Sequence, residues 1–326
     1  MIAAIPYIEI PLKSVAEWIF QITGLWIATL DSIPLDPWAL LVCTGFVVGL
    51  EVARARAIRL GLDVRDIVDG AVFIVLMGFA IAHVVTVVFY FPERLQIPQC
   101  TAGDSAACLE GVMSILRVWE GFSSTGGFIG AVIGAYVFYK MIRPRAALRH
   151  ADVITYGFPF GWFFGRLGCS SVHDHVGSET TFPLAMDFDH GLKDFYWYAG
   201  DPAPWASGIR HELGIYEAAY MVLVCILFYA LGRRDRPPGF FLAWFAIAYA
   251  PVRFVLDFLR NNDLSHQDAR YLNLTPAQYG MVIMFFAGIY MLTRLDYAGF
   301  VPVDLTRAPA PAPAPAPEPE APAEEP

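Results

Sequence analysis

Three groups of polar residues interrupt an otherwise apolar sequence, and the first lies in the stretch GWFFGRLGCSSVHDHVG. Arg166 is followed there by Cys169 and by the tripeptide His173-Asp174-His175. A guanidinium group binds phosphate through paired hydrogen bonds, and a neutral imidazole accepts a proton near neutral pH. These residue types therefore indicate an anion-binding site beside a group that can activate a nucleophile.

The second group lies in the stretch AWFAIAYAPVRFVLDFLRNND. Arg253 and Asp257 are four residues apart, and Arg260 follows Arg253 by seven, so we expect all three on one helical face. An ion pair that only neutralises itself, with Arg260 reaching toward solvent, is the simpler interpretation. However, an ionisable residue inside a membrane costs about 2.5–3.5 kcal/mol to insert, and two separate segments carry an arginine. The repetition favours joint binding of a phospholipid phosphate.

The third group opens the stretch EGFSSTGGFIGAVIGAYVFYK. Thr125, Gly126 and Gly127 form a small, polar beginning that is suited to a turn facing a substrate. Gly126, Gly130 and Gly134 also follow one another at four-residue spacing, which is typical of close helix packing in membranes. Both interpretations remain open from the sequence.

A metal site on His173, Asp174 and His175 is the least favoured use of these residues. Adjacent residues in a turn rarely converge on one ion, and the sequence has no His-x-x-x-His pair. We therefore expect no metal and no cofactor.

The composition indicates an integral membrane protein. Of 326 residues, 56% are hydrophobic and only 16% are charged, compared with about 25% charged residues in soluble domains. The apolar runs are long and continuous, which predicts an all-α polytopic membrane helix bundle. We expect seven transmembrane helices, approximately at Trp38–Ala53, Gly70–Phe91, Gly126–Ile142, Ala151–Gly168, Ile215–Leu231, Gly239–Phe258 and Gln278–Leu292.

Basic residues predict the orientation of this bundle. They are concentrated in the connections after the first, third, fifth and seventh spans, including Arg54, Arg56, Arg59, Arg65, Lys140, Arg143, Arg145, Arg149, Arg233, Arg234, Arg236, Arg294 and Arg307. Connections rich in Lys and Arg remain in the cytoplasm. The N-terminus is therefore expected outside and the C-terminus inside. No basic stripe suggests binding to nucleic acid.

Three regions follow from this topology. Residues 1–36 are expected on the outer surface, with an amphipathic helix within Val15–Leu35. Residues 37–295 form the membrane domain, in which residues 169–212 are the longest external loop. Residues 296–326 form a disordered tail of Ala, Pro and Glu. Cys100 and Cys108 lie in the external loop between spans two and three, so we predict a disulfide between them.

Five motifs occur in a characteristic order. They are ARARAIRLGLDVRDIVD, RVWEGFSSTGGFIGA, GRLGCSSVHDHVG, IYEAAY and AYAPVRFVLDFLR. From about Trp38 to Leu292 the chain resembles the bacterial prolipoprotein diacylglyceryl transferase family. The resemblance implies a multi-pass enzyme of the bacterial inner membrane. Such an enzyme transfers a diacylglyceryl group from phosphatidylglycerol to the lipobox cysteine thiol of a prolipoprotein.

The resemblance also implies roles for individual residues. Arg166 matches the arginine of the family's Gly-Arg-hydrophobic-Gly-Asn signature, and Arg253 matches the essential arginine of span six. Asp257 lies where the family has a glutamate. The chain departs from the family at Cys169, which replaces the signature asparagine, and at Thr125, which replaces the histidine that opens span three.

The absent histidine leaves two functions open. In the first, the chain is a transferase in which His173 or His175 accepts the proton of the thiol and Asp174 assists; His83 and His211 are lesser candidates. The alternative is a non-catalytic relative that binds lipids or lipopeptides. The predicted substrate-binding residues are Arg166, Arg253, Asp257, Thr125, Gly126, Gly127 and Cys169.

Overall fold

The computed structural model describes residues 37–117, 121–171, 173–188, 206–264 and 267–305. The expected amphipathic helix within Val15–Leu35 and the tail from residue 306 onward lie outside these residues. So does the segment 189–205 of the external loop.

Long helices form most of the described chain. They are α1 (Pro37–Arg59), α2 (Val64–Val85, continued by a π-helical turn at Thr86–Tyr90), α3 (Ile97–Thr101), α4 (Ser105–Leu116), α5 (Ser124–Val137, continued by a π-helical turn at Phe138–Ile142), α6 (Ala147–Ser171), α7 (Leu213–Leu231), α8 (Phe240–Leu256, continued by a 3-10 turn at Asp257–Leu259) and α9 (Pro276–Thr293). The prediction of a helical membrane bundle is confirmed.

Six helices of the described residues are long and apolar enough to cross a membrane: α1, α2, α5, α7, α8 and α9. The fourth predicted span is α6, a helix of 25 residues. It is not among the six, and it contains the buried polar residues Asp152 and Arg166. Because α6 packs against α1, α7 and α8, these polar groups face protein.

Glycines bring pairs of helices into close contact. A Cβ atom at Gly161 of α6 would lie 2.5 Å from the backbone oxygen of Gly45 in α1. Similarly, a Cβ atom at Gly130 of α5 would lie 2.5 Å from the Met77 oxygen in α2. Small residues allow such close approach of backbones in membranes. The packing interpretation of the glycine spacing in span three is thus confirmed for Gly130.

The connections α1–α2, α5–α6 and α7–α8 gather at one end of the bundle. Arg143 and Arg145 form ion pairs with Asp66 at the beginning of α2. Arg149 pairs with Asp235, with 2.8 Å between Nη2 and Oδ2. The predicted basic connections therefore lie on the same side of the bundle. The helix ends that carry Arg166 and Arg253 lie at the opposite end.

A small antiparallel sheet lies at that opposite end, after α6. Its strands are β1 (Val176–Glu179), β2 (Met186–Asp187) and β3 (Ile209–Glu212), in the order β1-β3-β2. β3 leads directly into α7. The described part of the external loop thus joins the end of α6 to the beginning of α7.

Cys100 of α3 and Cys108 of α4 form the predicted disulfide. The bridge joins two short helices between α2 and α5, in the loop that the sequence assigns to the outer side. This expectation is confirmed.

Candidate active site

Three buried charged side chains from three different helices meet near the end of the bundle that bears the sheet. Arg166 lies near the C-terminus of α6, Glu217 near the N-terminus of α7 and Arg253 near the C-terminus of α8. Because α7 runs antiparallel to α6 and α8, these positions fall at similar depth. Their side chains are between 1% and 4% exposed.

The carboxylate of Glu217 bridges the two arginines. Arg166 Nε lies 2.6 Å from Glu217 Oε1, and Arg253 Nε lies 3.7 Å from Glu217 Oε2. The shared carboxylate offsets the repulsion between the two guanidinium groups. With Asp257, which pairs with Arg253, the two buried arginines and two buried carboxylates balance in charge.

Aromatic side chains fix the position of this carboxylate. The Tyr249 hydroxyl donates to Glu217 Oε1 at 2.5 Å, and Trp162 Nε1 donates to the same oxygen at 3.2 Å. The Arg166 guanidinium lies 4.5 Å above the centroid of the Trp162 ring. Glu217 and Arg166 are consequently held by hydrogen bonds and ring contacts before any ligand arrives.

The predicted pair between Arg253 and Asp257 is confirmed, with 2.7 Å between Arg253 Nη1 and Asp257 Oδ1. Asp257 also accepts a hydrogen bond from Thr275, which is the N-cap residue of α9. The Thr275 backbone N–H in turn donates to Gln278 Oε1, which completes a capping box. The site is thus tied to the beginning of α9 through one carboxylate.

Arg260 does not share this helical face, so that prediction was wrong. The α-helical part of α8 ends at Leu256, and Arg260 has extended backbone angles of φ −64° and ψ 146°. Its side chain forms an ion pair with Asp268, and its backbone forms an isolated β-bridge with Gly177. The seven-residue spacing does not predict the position of Arg260, because the α-helix ends at Leu256, before two full turns separate Arg253 from Arg260.

His175 is the histidine of the tripeptide that reaches Arg166. Arg166 Nη1 donates to His175 Nε2 at 3.1 Å, and His175 Nδ1 contacts the carboxylate of Asp174. This arrangement places the imidazole proton on Nδ1, where Asp174 accepts it. The Cys169 sulfur lies 3.8 Å from the same Arg166 nitrogen. Cys169, Asp174 and His175 thus surround one edge of the guanidinium.

The electrostatics keep His175 neutral and Asp174 ionised. Burial lowers the pKa of His175, and the attraction of Asp174 only partly opposes this effect. Burial would raise the pKa of Asp174, but the neighbouring His175, Arg166 and Arg260 hold it below its usual value. Near pH 7 this pair therefore consists of an imidazole and a carboxylate.

His173 points to a different environment. Its backbone has φ of +50°, in the left-handed region, and its ring packs edge-on against Phe188. Its Nδ1 lies 3.6 Å from Oε2 of Glu212, a fully buried residue at the end of β3. Burial raises the pKa of Glu212 to about 7. The turn therefore directs His173 toward the sheet and His175 toward Arg166.

The glycines beside Thr125 lie in different surroundings. A Cβ atom at Gly126 would lie 2.7 Å from the Ala82 Cα atom, so Gly126 packs against α2. A Cβ atom at Gly127 would meet no described atom within 4 Å. Thr125 itself is buried, and its methyl group faces Gly280 of α9.

His83 and His211 are engaged elsewhere. The two ring nitrogens of His83 lie 3.2 Å from the Gly121 oxygen and 2.9 Å from the Ser114 oxygen, so both face backbone acceptors. His211 Nδ1 lies 3.1 Å from the Tyr216 hydroxyl. Among these two and the tripeptide histidines, only His175 is in contact with Arg166.

The described residues contain one group of side chains that could hold a metal ion. Ligand atoms of Cys169, Asp174 and His175 all lie within 4.8 Å of one another. This set differs from the tripeptide considered from the sequence, because His173 turns away and Cys169 takes part. Arg166 already contacts both Cys169 and His175, and its positive charge opposes a cation there. The arrangement fits an anion better than a metal.

Two contributors to the site had no role assigned from the sequence. Glu217 is an isolated acidic residue in an apolar span, and such residues are functional by default in membranes. That signal was present within the motif IYEAAY. Tyr249 lies one turn before Arg253, but nothing distinguishes it from the other aromatic residues of the same span.

Comparison with known proteins identifies the family of this chain. The profile of the prolipoprotein diacylglyceryl transferase family matches residues 26–294. The chain is 28% identical over 265 residues to a phosphatidylglycerol–prolipoprotein diacylglyceryl transferase of Nitratidesulfovibrio vulgaris, covering 79% of this chain and 88% of the relative.

Proteins with the same name in Cupriavidus necator and Escherichia fergusonii are 29% and 26% identical. These matches cover 78% and 82% of this chain, and 86% and 91% of the respective relatives. The family match spans the bundle from α1 to α9 and contains both buried arginines. The chain therefore belongs to the prolipoprotein diacylglyceryl transferase family.

Proposed function

We propose that this protein transfers a diacylglyceryl group from phosphatidylglycerol to the lipobox cysteine thiol of prolipoproteins, in the bacterial inner membrane. One observation carries the proposal. Two arginines from separate helices are buried around a shared carboxylate at one end of a membrane bundle, in a chain of this family. Buried ionisable groups are costly in a membrane and mark functional sites, and a lipid phosphate is the anion that a membrane supplies to two neighbouring arginines.

Arg166 and Arg253 bind the lipid phosphate together in this proposal. Arg253 Nε lies 3.7 Å from Glu217 Oε2 and Nη1 lies 2.7 Å from Asp257 Oδ1, but neither atom makes a hydrogen bond of good geometry within the described residues. Arg166 directs one nitrogen to Tyr249 at 3.4 Å and another toward the Cys169 sulfur at 3.8 Å, and both contacts are long enough to be exchanged for phosphate oxygens. Asp257 orients Arg253, and Glu217 holds both guanidinium groups in place.

The incoming cysteine sulfur attacks C3 of the lipid's glycerol backbone. A carbon–sulfur bond forms, the carbon–oxygen bond to phosphate breaks, and glycerol-1-phosphate leaves with the bonding electrons. The two arginines stabilise the charge that develops on the departing phosphate. The electrons of the new bond come from sulfur, so the thiol must lose its proton during the step.

His175 accepts that proton in this proposal. When Arg166 turns its N–H groups to the phosphate, Nε2 of His175 is released from its hydrogen bond. Asp174 holds the Nδ1 proton and stabilises the imidazolium that forms. Cys169 and Gly127 border the same lipid site, and Gly126 holds the beginning of α5 against α2. His173 supports the turn that presents His175.

Complementation tests this function. A bacterial strain depleted of its own transferase should grow when it carries this chain, and its lipoproteins should regain the diacylglyceryl group on mass spectrometry. The Arg253→Ala variant, expressed at the same level, is the control that should fail. Growth without lipoprotein modification, or lipid binding by the purified protein without transfer to a lipobox peptide, would support a non-catalytic lipid-binding relative instead.

A further inference from the structure

The buried hydroxyl group of Thr125 has no backbone hydrogen-bond partner among the described residues. Thr125 is 8% exposed, and its Oγ1 atom makes no hydrogen bond of good geometry within the described residues. Its neighbour Tyr90 places a phenol within interacting range of it. A buried hydroxyl that lacks a hydrogen bond of good geometry is destabilising, so its presence requires an explanation.

Packing does not supply that explanation. The methyl group of Thr125 faces Gly280, where an added Cβ atom would lie 2.7 Å from Thr125 Cγ2. Valine would provide the same methyl contact without burying a hydroxyl. Thr86 illustrates the ordinary case, because its hydroxyl donates to the backbone oxygen of Ala82 at 2.8 Å. The Thr125 hydroxyl differs because no backbone oxygen of the described residues accepts from it.

Tyr90 connects this hydroxyl with the phosphate-binding residues. It ends the π-helical turn Thr86–Tyr90, and such turns are frequent at functional sites. Its phenol hydrogen-bonds with Thr125 and lies within electrostatic range of Asp268, Arg253 and Asp257. The Tyr90 phenol thus lies within electrostatic range of one of the two guanidinium groups that we assign to the phosphate, and Thr125 lies beside Tyr90.

We propose that Thr125 and Tyr90 form the subsite for the hydroxyl groups of an uncharged polyol headgroup, next to the phosphate of the same lipid. The inference rests on the proposed function and specifies how its lipid substrate is selected. Each of the two side chains both donates and accepts, as a vicinal diol does. Neither side chain is charged, so the pair matches hydroxyl groups rather than a charged headgroup.

The test compares two lipids with identical acyl chains. One is phosphatidylglycerol, and the other is phosphatidylpropanol, which has the same three-carbon headgroup without its hydroxyl groups. Transfer to a lipobox peptide is measured for the wild type and for the Thr125→Val, Thr125→Ser, Tyr90→Phe and Thr86→Val variants. Thr86→Val removes an equally buried hydroxyl that lies outside the proposed subsite.

We expect the wild type to prefer phosphatidylglycerol by at least about tenfold in kcat/KM, since a site built for a hydroxyl strongly rejects the analogue that lacks it. Thr125→Val and Tyr90→Phe should each reduce this preference about three- to tenfold, mainly through KM for phosphatidylglycerol. Thr125→Ser and Thr86→Val should keep it.

Two results would overturn the subsite alone: a wild type that does not distinguish the lipids, or a Thr125→Val variant that slows both lipids equally. A wild type that transfers neither lipid, although its circular dichroism spectrum is helical, would overturn the proposed function and the subsite with it.

Discussion

Each arginine in the site has a geometry that an ammonium group cannot reproduce. Arg166 contacts Glu217, His175 and Tyr249 through three different nitrogens, and Arg253 contacts Glu217 and Asp257 through two. Lysine would keep the charge but would lose the planar fork that binds a carboxylate and a phosphate together. Charge alone therefore does not explain the choice of residue.

We predict that Arg166→Lys and Arg253→Lys each lower the rate of lipid transfer about 10- to 100-fold, because hydrogen bonds to charged groups contribute about 1.5–3 kcal/mol. The measurement is transfer from phosphatidylglycerol to a lipobox peptide at matched protein levels. Arg54→Lys is a suitable control, because Arg54 is exposed on α1 and pairs only with Glu51 among the described residues. Full activity of Arg166→Ala would contradict the phosphate role.

A second prediction separates the two histidines of the tripeptide. Because only His175 contacts Arg166, His175→Gln should lower the transfer rate about 10²–10⁴-fold, the usual contribution of general base catalysis. His173→Gln should reduce thermal stability more than rate, since its ring packs against Phe188. A double variant that remains fully active would mean that neither histidine activates the thiol.

The pH profile of the wild type follows from the same assignment. The neutral imidazole is the active form, so transfer should fall as acid protonates it. Since burial holds the pKa of His175 below the usual value of about 6.5, half of the activity should be lost at a pH lower than that. Rates of the wild type and of His175→Gln, measured between pH 5 and 8, should converge at the acid end. Identical profiles for the two proteins would contradict the assignment.

The spacing of residues predicted some of these contacts but not others. Four-residue spacing on one helix was sufficient to predict the pair between Arg253 and Asp257. Glu217 contacts Arg166 and Arg253, which lie on two other helices. Spacing along the sequence predicts only contacts within one helix, so no partner could be assigned to Glu217. Which of the two histidines contacts Arg166 depends on the left-handed backbone conformation of His173. Non-glycine residues rarely adopt this conformation, so the sequence does not predict it.

At the scale of helices, the contact between α1 and α6 depends on the absence of side chains. Gly45 and Gly161 face each other, and each backbone oxygen lies 2.5 Å from the position where the other residue would carry a Cβ atom. Since α6 also bears Arg166, a shift of this helix moves the site. Helix positions could be predicted from apolar runs, whereas this pairing required the three-dimensional arrangement.

We predict that Gly161→Ala destabilises the protein by about 1–3 kcal/mol, because the new methyl group overlaps backbone that cannot easily move. Thermal unfolding in detergent measures the effect, and lipid transfer should decrease in parallel. Gly165→Ala is the matched control on the same helix, since its Cβ atom would lie 3.8 Å from the Trp162 ring, an ordinary contact. Equal stability of the two variants would argue against close packing at Gly161.

At the scale of the whole molecule, one orientation in the membrane explains both ends of the bundle. The basic connections after α1, α5 and α7 gather at one end, and the sheet, the disulfide and the arginine site lie toward the other. Positively charged connections remain in the cytoplasm. We therefore expect the site to open toward the outer side of the membrane, where a thiol of an exported prolipoprotein is available.

Reporter fusions test this orientation. An enzyme that is active only in the cytoplasm should work when it is fused after Arg307 and should fail when it is fused after Leu116, which follows the disulfide-bonded loop. The reverse pattern would contradict the orientation, and with it the outward-facing site. Labelling of Cys100 and Cys108 by an impermeant thiol reagent, only after reduction, is the expected accompanying result.

The polar character of α6 has a consequence for biosynthesis. Asp152 and Arg166 each oppose the insertion of an isolated helix, by up to about 2.5–3.5 kcal/mol for a residue at the helix centre. The glycines of α1 that receive α6 are translated earlier, but Glu217, which neutralises Arg166, is translated only later with α7. During translation α6 therefore leaves the translocon in a state that its own hydropathy does not favour. We therefore expect stable insertion of α6 to require α7, because Glu217 of α7 pairs with Arg166 of α6. The residues that form the site would then also couple the insertion of these two helices.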